Sequence, residues 1–198
     1  IQNRSSQWVA PLLKPKKGEK ILDACSAPGS KTGHLADLIS DDGEIWSIDR
    51  SEIRMKILRE NLKRLKIKSV KNYKCDATKL FEIKPELKNY FDKILLDAPC
   101  SGIGTFSRNP DARWTLTPQR ITQLIGLQNK LLNNLVPLLN KKGTLVYSTC
   151  TICPHENNFL IENFLRQYPD LYLVSERQIL PSLDHHWDGF YAAVIKYK

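Results

Sequence analysis

Two cysteines stand just beyond apolar stretches that have the length of buried strands. Cys100 follows FDKILLD after Ala98-Pro99, and Cys150 directly follows TLVYST. A thiolate is both a strong nucleophile and a tolerable leaving group, so a cysteine at such a place can form and break a covalent bond to a substrate. Pro154 opens a predicted helix, whose positive end would favour the Cys150 thiolate. A small buried cysteine without chemistry is the alternative for each residue.

Acidic residues stand at four predicted strand ends, namely Asp23, Asp49, Asp76 and Asp97. Ligands of an open parallel sheet bind outside the carboxyl ends of its strands, so these acids are expected at one site. Asp49 follows the loop after the first strand by about twenty positions, the spacing of an acid that binds ribose hydroxyls. Asp76 suits the exocyclic amino group of an adenine, and the two acids together favour an adenosine-containing cofactor. The alternatives are that Asp49 caps the following helix and that Asp76 forms a turn.

The stretch KILDACSAPGSKTGHL, residues 20–35, predicts a strand, a tight loop of small residues and the start of a helix. Small side chains let the backbone approach a ligand, and N–H groups at the start of the helix point towards it. The loop lacks GxGxxG, and it lacks the phosphate-binding motif GxxxxGK followed by Ser or Thr. No motif therefore supports a dinucleotide or a triphosphate, and a plain strand-to-helix turn is the alternative.

Five cysteines, at positions 25, 75, 100, 150 and 153, occur in a chain that does not open with a signal peptide. This usage predicts free thiols in a reducing, cytoplasmic compartment. Cys150 and Cys153 form a lone CxxC pair, without the second pair that a zinc site needs, and a redox dithiol would follow the first strand rather than the fifth. His185 and His186 fit a solvated loop better than a ligand set. No metal is therefore expected.

Strand and helix patterns alternate along the chain. Strands are predicted over residues 20–25, 44–49, 69–75, 91–97, 144–149, 171–174 and 190–197, and helices over 31–39, 51–65, 117–138 and 154–168. The predicted apolar face of the helix over 51–65 consists of Ile53, Ile57, Leu58, Leu62 and Leu65. The alternation predicts an α/β fold with a mostly parallel, doubly wound sheet, in one domain over residues 1–198 with an N-terminal arm at 1–19.

Thirty Lys and Arg residues against twenty-one Asp and Glu give the chain a net charge of +9. This balance favours a polyanionic partner such as nucleic acid, and a generally basic surface is the alternative. Basic residues over 50–74 fit mainly the solvated face of a helix. The better candidates for phosphate contacts are Lys14, Lys16, Lys17, Arg108 and Arg113. No apolar run approaches membrane-spanning length, so no membrane partner is expected.

Four stretches together resemble one family of enzymes. ILDACSAPGSKT, the acid of SIDR, LLDAPCSGIGTFSRNPDARW and LVYSTCTICPHENN are similar to the Sun/Fmu-type (RsmB-like) RNA cytosine-C5 methyltransferases. The resemblance implies a Rossmann-like class I S-adenosylmethionine-dependent methyltransferase fold. Its sheet would have seven strands, mostly parallel with the last antiparallel, and helices on both faces. It also implies that residues 1–198 are a catalytic domain without the N-terminal RNA-binding domain usual in the family.

The resemblance assigns roles to residues by their place in these motifs. The residues implied to line the methionine part of the cofactor are Cys25, Ser26, Ala27, Pro28, Gly29, Ser30 and Lys31. Asp49 would contact the ribose, Asp76 the adenine region, and Asp97 would lie between cofactor and base. Cys150 would be the nucleophile, and Cys100 would help to release the product. Ser30 replaces a second glycine usual in the family, so a left-handed backbone there would be strained.

The implied reaction transfers a methyl group from S-adenosylmethionine to carbon 5 of a cytosine in RNA, and the resemblance favours small-subunit ribosomal RNA. It would run through a covalent bond between Cys150 and carbon 6 of the base, with RNA as the partner and no obligate protein partner. A non-catalytic RNA-binding module that retains the fold is the alternative. A methyltransferase acting on DNA or protein is less favoured, because two cysteines at strand ends have no use in methylation of nitrogen or oxygen.

Overall fold

Seven strands form one sheet in the computed structural model of the chain, which describes residues 3–182 and 187–198. The strands are β1 (Lys20–Ala24), β2 (Glu44–Asp49), β3 (Val70–Lys74), β4 (Phe91–Asp97), β5 (Leu139–Thr149), β6 (Leu171–Ile179) and β7 (Phe190–Tyr197). Their order is β3-β2-β1-β4-β5-β7-β6, and β7 runs antiparallel to both neighbours while the first five strands are parallel. The predicted mostly parallel α/β sheet is confirmed. The loop predicted at His185 and His186 lies outside the described residues.

Helices connect these strands and cover both faces of the sheet. The helices are α1 (Arg4–Gln7), α2 (Val9–Leu12), α3 (Ser30–Leu38), α4 (Glu52–Arg64), α5 (Leu80–Ile83), α6 (Ala112–Thr115), α7 (Pro118–Leu135) and α8 (Asn158–Gln167). Short 3-10 turns occur at Ala77–Lys79, Pro85–Leu87, Ile103–Thr105, Val136–Leu138 and Pro154–Glu156. Within residues 3–182 and 187–198, no helix combines the length and the apolar character that crossing a membrane requires.

Each central strand is buried on both faces, which is why its sequence is almost continuously apolar. Along β4, Ile94 and Leu96 pack into one core with Leu131 of α7, whereas Leu95 packs into a second core with Leu35 of α3. All five of these side chains are at most 2% exposed. The double burial holds the sheet between two helix layers and leaves the strand ends as the place for polar residues.

The apolar face predicted for α4 is partly wrong. The helix buries Met55, Leu58 and Leu62, which follow one another at spacings of three and four residues. Ile53 is 80% exposed and Ile57 is 45% exposed. The two isoleucines lie outside the buried stripe that begins at Met55. Their apolar side chains therefore do not indicate which face of the helix packs against the core. The predicted cap is correct, since the Ser51 hydroxyl accepts a hydrogen bond from the backbone N–H of Arg54.

Two strands are longer than their sequence patterns predict. β5 begins at Leu139 rather than at residue 144, because Leu139 pairs with Phe91 of β4 before an irregularity in the ladder. The polar run Asn140–Gly143 resembles a turn in sequence but continues the strand. β6 extends to Ile179 because its outer half pairs with β7 as far as Phe190. In both cases the neighbouring strand, and not local propensity, sets the length.

Candidate active site

Two thiols meet at the carboxyl edge of the sheet. Asp97 at the end of β4 pairs in register with Ser148 near the end of β5. Cys100 and Cys150 follow these paired residues, and their Sγ atoms lie 3.5 Å apart. This separation is well beyond a disulfide bond of about 2.05 Å, and both residues are free thiols. The arrangement therefore presents two half-buried sulfur atoms joined by one hydrogen bond.

The hydrogen bond between the two thiols shifts their pKa values in opposite directions. The hydrogen bond from the Cys100 thiol lowers the pKa of Cys150, with help from the Lys31 cation and against burial and the charge of Asp97. The same hydrogen bond, together with burial, raises the pKa of Cys100 well above its ordinary value. Cys150 is therefore the more acidic thiol of the pair. The predicted helix start at Pro154 is wrong, because Pro154 opens only a short 3-10 turn and α8 begins at Asn158.

A buried lysine holds the acid beside these thiols. The Lys31 ammonium donates to Oδ2 of Asp97 at 2.6 Å and to the hydroxyl of Ser6 at 2.6 Å. The Ser148 hydroxyl donates to Oδ1 of Asp97 at 2.8 Å. Both oxygens of Asp97 are thus held in place, which orients the carboxylate beside Cys150. Sequence reasoning missed Ser6, because nothing in the N-terminal arm marks α1 as part of this site.

The loop after β1 turns through a glycine. Gly29 has φ +97° and caps α3, and Ser30 is the first residue of that helix. A β-carbon at position 29 would also lie 2.9 Å from Cγ of Leu58. The left-handed conformation therefore falls on Gly29 rather than on Ser30, and the strain expected at Ser30 is absent. The interpretation of Ser30 as a strained position was wrong.

Replacing Gly29 with alanine is expected to destabilise the chain by about 2 kcal/mol, because alanine is strained at this φ and its methyl group meets Leu58. Gly126 provides the matched control, since it lies inside α7 with no atom within 4 Å of an added β-carbon. Gly126→Ala is expected to stabilise by about 0.5–1 kcal/mol. Urea unfolding measures both changes. Equal effects of the two substitutions would contradict this account of the loop.

Two adjoining cavities open beside this loop and share Cys25, Arg54 and Pro99 in their walls. The first has a volume of about 260 Å³, and its further lining residues are Asp23, Ser26, Ala27, Pro28, Ser30, Lys31, Asp97, Ala98, Cys100 and Cys150. The second has a volume of about 110 Å³, and its further lining residues are Ile48, Asp49, Arg50, Cys75, Asp76, Ala77, Leu127 and Leu131. Apart from Gly29, every residue that the sequence singled out for cofactor or catalysis lines one of the two cavities.

Asp76 forms the local turn that was the alternative for it, whereas Asp49 does not cap α4, whose N-cap is Ser51. Asp49 accepts hydrogen bonds from the backbone N–H groups of Ala27 at 3.2 Å and Ser51 at 2.9 Å. Asp76 accepts from the N–H and the hydroxyl of Thr78 at 3.0 and 2.7 Å. Partial burial raises the pKa of Asp76, but these bonds outweigh it and lower the pKa below its ordinary value. Both acids thus brace the backbone and also line the second cavity.

Arg54 was missed as a site residue, because its position on α4 suggested the solvated face. Its guanidinium donates to the carbonyl oxygen of Ala27 and lies 3.4 Å from a carboxylate oxygen of Asp49. It therefore ties the loop after β1 to the end of β2. The helical spacing of basic residues gives no sign of this role, since it depends on the tertiary approach of the loop.

Asp23 at the end of β1 is completely buried. Thr32 donates to its Oδ2 at 2.6 Å, whereas its Oδ1 has no hydrogen-bond partner among the described residues. Burial raises the pKa of Asp23 to about 7, although the bond from Thr32 acts in the opposite direction. An acid that faces a cavity with one unsatisfied oxygen is suited to a cationic ligand group. The sequence placed Asp23 at a strand end but gave it no role.

The raised pKa of Asp23 predicts a pH dependence of stability. Folding favours the protonated acid, so its contribution is complete below pH 4 and is lost as the pH rises to about 7. The unfolding free energy of the wild type is expected to fall relative to Asp23→Asn by about 1.4 kcal/mol per pH unit over this range. Urea unfolding between pH 4 and pH 8 measures the difference, with the exposed Asp37→Asn as control. Parallel curves for Asp23→Asn and the wild type would contradict the assignment.

Glu156 and Asn157 hold the two loops that carry Cys100 and Cys150 through hydrogen bonds. The fully buried Glu156 carboxylate accepts from the N–H of Ser101 at 2.9 Å and from the side-chain amide of Gln128 at 2.9 Å. The Asn157 side chain accepts from the hydroxyl of Thr149 at 2.6 Å and donates to the carbonyl oxygen of Thr151 at 3.0 Å. Adjacent residues thus hold the loop beside Cys100 and the loop that carries Cys150. The motif Pro-x-Glu-Asn was visible in the sequence, but its contacts were not.

The lysines predicted to contact phosphate lie at the wrong edge of the sheet. Lys14 lines a cavity with Lys93 and Thr144, near the amino ends of β4 and β5. Lys16 and Lys17 follow it and precede β1, so the parallel sheet places all three far from the thiols. The guanidinium of Arg108 is engaged by the buried carboxylate of Asp188. Arg113 lies on α6, which follows the loop after Cys100, with its guanidinium 5.6 Å from the centre of the Phe106 ring.

Comparison with known proteins gives close matches along the chain. The family model of the 16S rRNA methyltransferases RsmB/F matches residues 10–196. A probable ribosomal RNA small subunit methyltransferase B from Synechocystis is 42% identical over 99% of this chain and 47% of its own length. A probable ribosomal RNA small subunit methyltransferase B from Bacillus subtilis is 41% identical over 86% of this chain and 38% of its own length. The chain thus spans less than half the length of these two curated relatives.

A solved structure shows the same architecture. NSun6 from Pyrococcus horikoshii, crystallised with the S-adenosylmethionine analogue SFG, superposes with a TM-score of 0.87 at 32% identity. The match covers 99% of this chain and 52% of that one. This likeness confirms that the fold is the class I methyltransferase fold which the sequence resemblance implies.

Proposed function

This chain belongs to the RsmB/F family of 16S rRNA methyltransferases, and we propose that residues 1–198 form its catalytic domain. The domain would transfer a methyl group from S-adenosylmethionine to carbon 5 of a cytosine in small-subunit ribosomal RNA. The observation that carries this proposal is the 3.5 Å approach of the Cys100 and Cys150 sulfur atoms in the cavity that Asp97 lines. Methylation of nitrogen or oxygen, or simple RNA binding, would not need two converging thiols.

The cavities suit S-adenosylmethionine, which supplies an electrophilic methyl group when bound. Asp23 lines the first cavity and has one oxygen, Oδ1, without a hydrogen-bond partner among the described residues, which fits the cationic amino acid end of the molecule. Asp49 and Asp76 in the second cavity offer oxygen acceptors for the hydroxyl and amino groups of an adenosine. The donor would thus lie along the loop after β1, with its methyl group towards Cys150.

Cys150 would carry the covalent step. Carbon 5 of cytosine is too poor a nucleophile to take a methyl group directly, so the Cys150 thiolate would first bond to carbon 6. Asp97, oriented by Lys31 and Ser148, would hold the ring nitrogen side of the base while carbon 5 gains electron density. Carbon 5 would then take the methyl group as the bond between that group and the donor's sulfonium sulfur breaks, which leaves S-adenosylhomocysteine, and carbon 5 would afterwards lose its proton to water. Reformation of the ring double bond breaks the bond from sulfur to carbon 6 and returns Cys150.

The target base must leave its stack to reach Cys150, which is least costly in single-stranded or looped RNA. This requirement favours RNA over duplex DNA as the substrate. It also predicts that methylation depends on a segment in which the target cytosine is unpaired.

Trapping with RNA that contains 5-fluorocytosine tests the proposal. Fluorine cannot leave carbon 5 as a proton does, so the bond from Cys150 to carbon 6 would persist after methyl transfer. A denaturing gel is expected to show a methylated chain–RNA band that requires S-adenosylmethionine. Cys153→Ala, which removes a thiol outside both cavities, is expected to give the same band. RNA binding without the band, and without S-adenosylmethionine binding by calorimetry, would instead support a non-catalytic RNA-binding module.

A further inference from the structure

A groove of about 460 Å³ leads away from the thiols along the beginning of α7. Cys100 and Ser101 form its inner end, and residues of α6 and α7 form its walls. Cys100 also lines the first cofactor cavity, so the groove and that cavity meet at this residue. Its volume is within the range of ligand-binding pockets. A strand of nucleic acid with one base at Cys150 would therefore have a continuous path across this surface.

An exposed tryptophan stands beside the groove. Trp114 is 84% exposed, the highest value among the large apolar side chains of the described residues. It lies on α6 between Ala112 and Thr115, both of which line the groove. A free indole face is a common platform for stacking an unpaired base.

The groove is also positively charged. Arg120 is the one charged side chain among its described lining residues. Its guanidinium makes a long contact of 3.4 Å with Gln123 of the same helix, and the residue is exposed. Arg113 adds a second cation on α6. An aromatic face beside arginines suits bases and phosphates of a single strand.

We propose that this groove binds the nucleotides next to the target cytosine in a single-stranded RNA segment. Trp114 would stack on one flanking base, and Arg120 would contact a backbone phosphate. The inference rests on the proposed function, since the flanking nucleotides are defined by the base that reaches Cys150. Beyond the reaction at Cys150, it assigns the recognition of unpaired RNA to the surface formed by α6 and α7.

Fluorescence anisotropy with a labelled single-stranded RNA tests the groove without requiring catalysis. Trp114→Ala is expected to weaken binding about tenfold, because one stacked base contributes on that scale. Trp114→Phe is expected to stay within about threefold of the wild type, since phenylalanine keeps a stacking face. Arg120→Gln is expected to weaken binding and to reduce the slope of log affinity against log salt by about one. Tyr172→Ala, which removes another exposed aromatic ring on β6, is the matched control and is expected to leave binding unchanged.

The outcomes separate the groove from the proposed function. Unchanged RNA affinity in both Trp114→Ala and Arg120→Gln would contradict the proposal that the groove binds RNA. Weakening of binding no greater than that caused by Tyr172→Ala would contradict it as well. Preferential binding of poly-glutamate over RNA at the same surface would overturn it too, in favour of an acidic peptide. Failure of the wild type to form the 5-fluorocytosine adduct would count against the enzymatic proposal while leaving the anisotropy comparison intact. Thermal unfolding of each variant shows whether a loss of binding comes from a lost contact with RNA or from lost folding.

Discussion

Replacing Cys150 with alanine is expected to lower RNA methylation more than about 10⁴-fold, the scale of losing a covalent nucleophile. Without its sulfur atom no bond to carbon 6 forms, and carbon 5 stays too poor a nucleophile to accept a methyl group. Asp97 and Lys31, which also line the cavity, can position the base but cannot add electrons to the ring. The Cys100 thiol lines it too, but its pKa is raised well above the ordinary value, so it is a poor replacement nucleophile. Incorporation of labelled methyl groups, followed by nucleotide analysis of the product, measures the loss.

The control for this prediction is the neighbouring thiol. Cys153→Ala changes the same residue type three positions away and is expected to methylate RNA like the wild type. Calorimetry is expected to show that Cys150→Ala still binds S-adenosylmethionine, since Cys150 contributes one side of a large cavity. Turnover by Cys150→Ala within tenfold of the wild type would refute the covalent route. It would leave the family membership untouched.

Replacing Cys100 with alanine is expected to trap the reaction after methyl transfer. In the wild type a hydrogen bond joins the Cys100 and Cys150 sulfur atoms at 3.5 Å, and this bond lowers the pKa of Cys150. The Cys100 thiol could also give its proton to the sulfur that leaves carbon 6, an assistance that attack by the Cys150 thiolate does not use, so its loss slows release more than attack. Turnover is expected to fall about 10²–10⁴-fold, the scale of one proton-transferring group, while a chain–RNA adduct accumulates.

A denaturing gel with ordinary cytosine-containing RNA measures this accumulation. Cys100→Ala is expected to give a strong band where the wild type gives little, and Cys100→Ala combined with Cys150→Ala is expected to give none. Cys75→Ala is unsuitable as a control, because Cys75 lines the second cofactor cavity. Multiple turnover by Cys100→Ala without any band would show that Cys100 has no part in release.

Much of the fold follows from local patterns in the sequence. The strands Glu44–Asp49, Phe91–Asp97 and Phe190–Tyr197 have the predicted bounds, because each apolar run is delimited by charged or turn-forming residues. The face of α4 did not follow, since Met55 and not Ile53 fills the core position. The length of β5 did not follow either, because pairing with β4 draws a polar segment into the ladder.

The candidate site divides in a similar way. Strand ends bring Asp97, Cys100 and Cys150 together because parallel strands finish at one edge, and this inference needs only the strand order. The bracing by Glu156 is different, since its partners lie about 30 and 55 residues away along the chain and local patterns carry no sign of such contacts. Ser6 likewise reaches Lys31 only after α1 has packed beside α3.

The paired register of Asp97 and Ser148 has a consequence for how this protein tolerates length changes. One residue inserted between Asp97 and Cys100 would shift that sulfur by about 3.3 Å, nearly the whole spacing between the two thiols. Insertions in surface turns, such as the one at Asp42-Gly43, leave this ladder alone. We therefore expect insertions to be tolerated in the outer turns, whereas an insertion in the short segment between β4 and Cys100 would separate the two thiols.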